Sequence, residues 1–131
     1  MVLSGWWLVT TRLIRIGYWA SDRAPGWPDP HRFVDCGWDL GERETAVDYL
    51  RRGLVARAYL GMSPCRLCGA PVGSLELSDG VFIWPEGLAH YLDEHHVRLP
   101  ARFVEHLRSR TEELGCAEIE DHWWKSQSGP D

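Results

Sequence analysis

Two cysteines and two histidines form the clearest chemical pattern in this sequence. Cys65 and Cys68 are separated by two residues, and His90 and His95 follow after a gap of 21 residues. Two thiolates on a tight turn and two imidazoles on a predicted helix make a tetrahedral ligand set of the kind that holds Zn²⁺. Because four protein ligands leave no open position for a substrate, the pattern predicts one structural zinc ion per chain rather than a catalytic one.

The fourth ligand has alternatives in the sequence. His90 and His95 are five residues apart, about 140° around an ideal helix, so the helix must tighten or unwind near its end. His96 is the alternative fourth ligand, and Glu94 is a poorer one. The other interpretation is a Cys-x-x-Cys redox pair with unrelated surface histidines, but no thioredoxin-like βαβ pattern surrounds it.

The motifs of catalytic zinc sites are incomplete. Residues 64–68 supply the Pro-Cys-x-x-Cys half of a zinc deaminase, but His31 is followed by Arg32 and Phe33 instead of the required x-Glu. The chain has no His-Glu-x-x-His motif of a metalloprotease. We therefore assign no catalytic residue from the sequence.

A β-hairpin is predicted directly after the cysteines. The Asp-Gly pair at residues 79–80 favours a two-residue turn whose twist matches that of the strands. The resulting register pairs Leu77 with Phe82 and Leu75 with Trp84 on one apolar face. A helix is expected to start at Pro85 and to run to about His96, with Leu88, Tyr91 and Leu92 facing inward.

The order of cysteine turn, hairpin and helix resembles a treble-clef zinc finger over residues 63–97. That resemblance implies a fold and a metal but little about function, since the scaffold serves many purposes. The run CRLCG, followed by DGVFIWPEGLAHY, also resembles a group of short proteins from GC-rich bacteria, and this resemblance implies no activity. The predicted fold is a small, treble-clef-like α+β domain with a zinc knuckle, a β-hairpin and helices.

The remaining elements follow from shorter patterns. Residues 6–19 are rich in β-branched and aromatic side chains and predict a strand, and residues 20–41 predict a loop. A helix is expected over residues 39–53, with an apolar stripe formed by Ala46, Val47, Leu50 and Leu54. A short strand over 54–60 and a helix over 100–115, with Phe103, Leu107 and Leu114 inward, complete a domain predicted to span residues 1–124. Residues 125–131 are predicted to be a disordered tail.

The net charge of −5 is unevenly distributed. Residues 1–68 carry nine Arg against seven acids, whereas residues 69–131 carry five basic groups against twelve acids. An acidic half that contains the zinc ligands disfavours the phosphate-neutralising function of most nucleic-acid-binding fingers. Arg51, Arg52 and Arg57 form at most a small basic patch, and a solvated helix face with local acids is the simpler interpretation.

One loop gathers other reactive groups. Residues 27–35 include Trp27, Asp29, His31, Phe33 and Asp35, which suit either a recognition loop or part of an active site. The simpler interpretation is a proline-stiffened segment that covers the core, with its two aromatic rings tucked in. The two cysteines outside the predicted metal site, Cys36 and Cys116, are expected to be small buried residues.

These patterns lead to a hypothesis about function. Apolar content of 44% and charged content of 25% are ordinary for a globular protein, but eight Trp residues are many for 131 residues. Interface cores favour Trp, Tyr and Arg, so we expect a non-enzymatic zinc module that binds a protein partner. The alternatives are a nucleic-acid-binding regulator that uses the N-terminal half and a small enzyme with its site near residues 27–35. No signal peptide or transmembrane run is visible, which predicts a cytoplasmic protein without a membrane partner.

Overall fold

The computed structural model describes residues 10–130. Contacts divide the chain into two compact units, residues 1–100 and residues 101–131. The first unit contains a four-stranded sheet and two helices, and the second contains two further helices. The mixed α+β class predicted from the sequence is confirmed. Within the described residues, no helix is long and apolar enough to cross a membrane.

The sheet of the first unit has the strand order β1-β4-β3-β2. The β1 strand runs parallel to β4, while β4 and β2 each run antiparallel to β3. Long β2 and β3 strands, joined by the cysteine turn, therefore form a hairpin of their own. The strand bounds are β1 Ile14–Arg15, β2 Leu54–Pro64, β3 Pro71–Ser78 and β4 Phe82–Pro85.

The first strand is much shorter than predicted. Of the expected strand over residues 6–19, positions 6–9 lie outside the described residues, and only Ile14–Arg15 pairs with β4. Gly17 ends the extended segment with φ +76°, and a Cβ at this position would approach the Leu88 side chain to 2.5 Å. The β propensity of residues 6–19 is therefore overridden by the turn at Gly17, which brings the chain against Leu88.

The β3–β4 hairpin has a different register from the predicted one. Leu77 pairs with Trp84 rather than with Phe82, so the register is shifted by two residues. The cause is the side chain of Asp79, whose Oδ1 accepts hydrogen bonds from the backbone N–H groups of Val81 and Phe82 at 2.9 and 2.8 Å. This Asp-centred turn widens the loop beyond two residues. The apolar face is nevertheless preserved, because a shift of two keeps side chains on the same side.

Helix α1, Leu40–Arg51, forms as its end signals predicted. The Asp39 carboxylate accepts a hydrogen bond from the N–H of Glu42 at 2.9 Å and caps the helix. Leu54, which was expected to continue the apolar stripe, lies in β2 and is 76% exposed. The stripe therefore consists of the three buried residues Ala46, Val47 and Leu50.

Helix α2, Leu88–His95, starts three residues later than predicted. Pro85 ends β4 instead of starting the helix, and the N–H of Glu86 still bonds to the carbonyl of Leu75 at 2.8 Å. Gly87 is the N-cap, and a Cβ there would lie 2.4 Å from Cγ2 of Val72. The first turn of α2 is therefore packed directly against β3.

The core of the first unit lies between the sheet and the two helices. Trp84 of β4 is fully buried, and its indole N–H donates to the carbonyl of Leu50 in α1 at 3.1 Å. This bond satisfies the polar atom of the largest core side chain and fixes α1 on the sheet. Leu88 and Leu92 of α2 are also fully buried, and Tyr91 is 5% exposed, so all three face inward as predicted.

The second unit contains α3, Ala101–Gly115, and α4, His122–Lys125. Phe103, Val104 and Leu107 are the buried residues of α3. Leu114 was expected on the same stripe, but it is 78% exposed. It lies in the last turns of α3, which contain no buried residue.

Candidate metal centre

The turn between β2 and β3 places both cysteine side chains. The N–H of Cys65 bonds to the carbonyl of Ala70, and the N–H of Gly69 bonds to the carbonyl of Cys65, both at 2.8 Å. Gly69 has φ +76°, a conformation that disfavours residues with a side chain. The backbone of the turn therefore explains why a glycine follows the second cysteine. The N–H of Leu67 also points at the Cys65 sulfur at 3.4 Å. Cys65 is buried and Cys68 is exposed.

Helix α2 brings both predicted histidines to this turn. One ligand atom from each of Cys65, Cys68, His90 and His95 lies within 4.8 Å of the other three. The Cys68 sulfur is 3.4 Å from Nε2 of His90, and the two imidazole rings are 5.1 Å apart between centroids. Tetrahedral zinc with nitrogen and sulfur ligands requires roughly 3.3–3.8 Å between ligand atoms. The four side chains therefore lie close enough to hold a metal ion.

An orphaned polar atom marks the inside of the cluster. The Nε2 atom of His95 is buried and has no hydrogen-bond partner among the described residues. Leaving a buried polar group unsatisfied costs about 1–3 kcal/mol. A metal ion within the cluster would satisfy this atom together with the two thiolates and His90, so the residues present fit the group that the sequence predicts.

His96, the alternative fourth ligand, lies in a different environment. It caps α2 with a left-handed φ of +55°, and its Nδ1 is 3.1 Å from Nη1 of Arg43. The same Arg43 nitrogen donates to the carbonyl of Asp93 at 3.2 Å. The guanidinium of α1 therefore caps the C-terminal end of α2 and engages His96, which leaves His95 in the cluster. Glu94, the weaker alternative, is also not a member of the cluster.

Tyr91 joins the cysteine turn to α2 without being a ligand. Its hydroxyl oxygen accepts a hydrogen bond from the N–H of Arg66, between the two cysteines, at 2.7 Å. Its ring contacts those of Trp19 and His95, with centroids 5.6 and 6.4 Å away. Burial raises the pKa of Tyr91 to about 12, so the hydroxyl stays protonated at neutral pH. The sequence predicted that this side chain faces inward but gave no sign of its bond to the turn.

The polar side chains of the loop over residues 27–35 take part in two separate contacts. Asp29 caps a short 3₁₀ helix, Pro30–Phe33, and accepts from the backbone N–H and the Nδ1 of His31 at 3.0 and 2.9 Å. The hydrogen bond from the His31 N–H lowers the pKa of Asp29. Asp35 instead pairs with Arg98 at 3.0 Å, which lowers the pKa of Asp35. The two carboxylates therefore serve separate contacts of the backbone and surface.

Phe33 packs against Trp19, with 5.3 Å between ring centroids, as expected for a segment that covers the core. Trp27 is instead 39% exposed. The three arginines considered as a basic patch all lie beside acids, in the pairs Arg51–Asp93, Arg52–Asp48 and Arg57–Glu76. The prediction that Cys36 and Cys116 are buried is wrong, because both are exposed.

Sequence reasoning missed Glu76, the most buried carboxylate among the described residues. Glu76 is 5% exposed, and it accepts hydrogen bonds from the hydroxyls of Tyr18 and Tyr59. Burial raises the pKa of Glu76. The two hydroxyl donors and the nearby guanidiniums of Arg15 and Arg57 lower it by a larger amount, so the pKa lies below its ordinary value. Tyr18, Tyr59 and Glu76 are far apart in the sequence, so no local pattern predicts that they form a cluster.

Comparison with known proteins gives no independent assignment: no protein-family model, no curated protein and no solved structure matches this chain.

Proposed function

We propose that Cys65, Cys68, His90 and His95 bind one structural Zn²⁺ ion per chain. The observation that carries the proposal is the convergence of two sulfur and two imidazole atoms within 4.8 Å. Two thiolates with two imidazoles favour zinc over calcium or magnesium, which prefer oxygen ligands. Four protein ligands complete a tetrahedral shell, so the ion stabilises the fold and takes no substrate.

The ion would fasten the turn of the β2–β3 hairpin to helix α2. The hydrogen bond between Tyr91 and the Arg66 N–H and the packing of Gly87 against Val72 also join the hairpin to α2. Metal ligation would add bonds between the same two elements, with each cysteine releasing its proton as it binds the ion. Because the ligand set forms only in the folded chain, zinc binding should contribute directly to the free energy of folding.

Metal analysis of the purified full-length chain tests this proposal. We expect one zinc per chain in the native protein, and loss of zinc together with a lower melting temperature in Cys65→Ser and His90→Ala. Cys116→Ser, which removes an exposed cysteine outside the cluster, is the matched control and should keep the ion. A native protein that holds no zinc when refolded in its presence, or that melts at the same temperature with and without zinc, would contradict the proposal.

For the whole protein we propose a non-enzymatic module that binds a protein partner. Strand β2 ends the sheet in the described part of the chain, and several of its large apolar side chains are exposed. Exposed apolar groups on a strand at an unpaired sheet edge favour a partner that adds a strand or covers them. The exposed members include Leu54, Val55, Leu60 and Met62.

Site-specific photo-crosslinking tests the partner proposal. A photoreactive amino acid at Val55 should capture one defined protein in the source cells, whereas the same group at Gly26, which has open space around it, should not. Equal capture at both positions would contradict the proposal. DNA binding is the competing function, and retention of the protein on DNA that falls steeply with salt would support that function instead.

A further inference from the structure

A groove of about 470 Å³ lies beside strands β2 and β3, within the first unit. We call it the tyrosine groove, and its main walls are Tyr18, Trp27, Tyr59, Met62 and Arg66, with Glu76 at its base. Its volume is in the range of small-molecule sites. None of these residues is a member of the metal cluster, although the groove borders the cysteine turn through Arg66.

An irregular stretch of β2 builds one wall. Ala58 pairs with Leu75 and Ser63 with Gly73, so four residues of β2, 59–62, face a single residue of β3. The extra residues make the strand bulge away from its neighbour, with Gly61 at φ +88°. Bulges of this kind are common next to binding sites because they re-aim side chains.

A buried carboxylate holds the two tyrosines in place. Glu76 accepts from the Tyr18 hydroxyl through Oε2 and from the Tyr59 hydroxyl through Oε1. Tyr18 precedes the loop and Tyr59 lies in the bulge, so one side chain positions both walls. Trp27 extends the aromatic surface, with its ring 5.9 Å from that of Tyr18.

The charged side chains around the groove differ in how many hydrogen-bond and ion-pair partners they already have. Glu76 accepts two hydroxyl donors and lies 4.0 Å from Arg57, and Glu86 accepts the N–H groups of Ser74 and Leu75. These are the two carboxylates that line the groove. Each already has two donors and needs no cationic ligand.

The two lining guanidiniums are in the opposite situation. Arg15 stacks over the Tyr18 ring at 5.0 Å, and Arg66 follows Cys65 in the metal-binding turn. Among the described residues, neither guanidinium lies within 4.0 Å of a carboxylate. Arg15 lowers the pKa of Glu76 from beyond ion-pair distance. A guanidinium that forms no ion pair beside an aromatic surface is suited to a ligand that has both a negative group and a flat ring.

We propose that the tyrosine groove binds a small organic anion with a planar ring. The ring packs on Trp27 and Tyr18, and the carboxylate or phosphate of the ligand pairs with Arg15 and Arg66. Glu76 acts as a positioning residue that holds the tyrosine walls and does not touch the ligand. The groove shares Met62 with the exposed apolar surface of β2, but the groups proposed to bind the anion, Arg15 and Arg66, lie outside that surface.

Two pairs of probes test the proposal on the full-length protein as purified. Indole-3-acetate is compared with indole-3-acetamide, and adenosine monophosphate with adenosine, by NMR titration. We expect at least one charged probe to bind at least tenfold more tightly than its neutral counterpart, with shifts centred on the Trp27 indole and the Gly61 amide. The pair that binds distinguishes a carboxylate ligand from a phosphate ligand.

Charge-removing variants locate the anion. Arg15→Gln should weaken the charged probe at least fivefold and leave the neutral probe unchanged, while Arg52→Gln, at a salt-bridged site outside the groove, should change neither. The proposal is overturned if neither charged probe binds at millimolar concentration, if charged and neutral probes bind equally, or if Arg15→Gln has no effect.

Discussion

At the scale of single residues, adjacent histidines in α2 have different surroundings. His95 Nε2 lies buried in the metal cluster, whereas the ring of the next residue, His96, faces Arg43. The sequence predicted the cluster but left His95, His96 and, less favoured, Glu94 as candidates for its last ligand. Only the direction of each side chain at the end of the helix separates them, and that direction depends on the contact with α1.

The two histidines provide a matched pair of variants. His95→Asn removes a ligand and should weaken zinc binding by more than about 100-fold, beyond what loss of an outer contact costs. His96→Asn should retain zinc, because Asn tolerates the left-handed backbone at this position. Competition with a zinc-sensitive dye measures both. Loss of zinc from His96→Asn with retention by His95→Asn would reverse the ligand assignment.

Tyr91 offers a second test at this scale. Tyr91→Phe deletes the acceptor for the Arg66 N–H and should lower the free energy of unfolding by about 1 kcal/mol. It should also weaken zinc binding, because the bond orients the turn between the two cysteines. Tyr49→Phe loses a hydrogen bond to Asp79, in the β3–β4 turn rather than the cysteine turn. It should lower stability without weakening zinc binding. Equal zinc affinities in the two variants would show that the Tyr91 bond does not support the site.

At the scale of elements, predictions that depended on contacts between residues close in sequence were more accurate than those that depended on distant contacts. Helix α1 was predicted well, because its cap, Asp39, acts within a single turn. The β3–β4 register was missed because the Asp79 side chain, rather than the Asp-Gly backbone preference, sets the turn. The start of α2 was missed because Glu86 remains hydrogen-bonded to β3, a contact that depends on the sheet already being formed.

The junction of β3 and α2 can be tested through a glycine. Gly87 has ordinary helical backbone angles, so Ala is permitted there except that its Cβ would meet the Val72 side chain at 2.4 Å. We expect Gly87→Ala to lower the free energy of unfolding by about 1–3 kcal/mol through overpacking. Gly26→Ala, where nothing lies within 4 Å, should be close to neutral. Chemical denaturation measures both, and a neutral Gly87→Ala would mean that the two elements separate easily.

At the scale of the whole molecule, the buried Glu76 should couple stability to pH. Its pKa in the folded protein is lowered from the ordinary value of 4.5, so folding favours the carboxylate. The stability that it contributes is present above about pH 4.5 and is lost as the pH falls through the folded pKa. No sequence pattern predicted this group, since its hydrogen-bond donors come from residues 17 and 58 positions away.

Urea unfolding between pH 3 and pH 7 measures this coupling. Glu76→Gln should show a smaller loss of stability on acidification than the native protein, whereas Glu44→Gln, at an exposed position, should follow the native curve. Acid release of zinc affects all three proteins, so the comparison isolates the carboxylate. Parallel curves for Glu76→Gln and the native protein would contradict the assignment.

The bulge of β2 also bears on whether copies of the protein can polymerise through this edge. A straight strand of 11 residues at the end of a sheet would be a template on which further copies could add through backbone hydrogen bonds. Residues 59–62 interrupt that template, because the strand bulges there and Gly61 has a left-handed φ of +88°. We therefore expect the irregularity that borders the proposed ligand groove also to disfavour fibre-like growth along this edge.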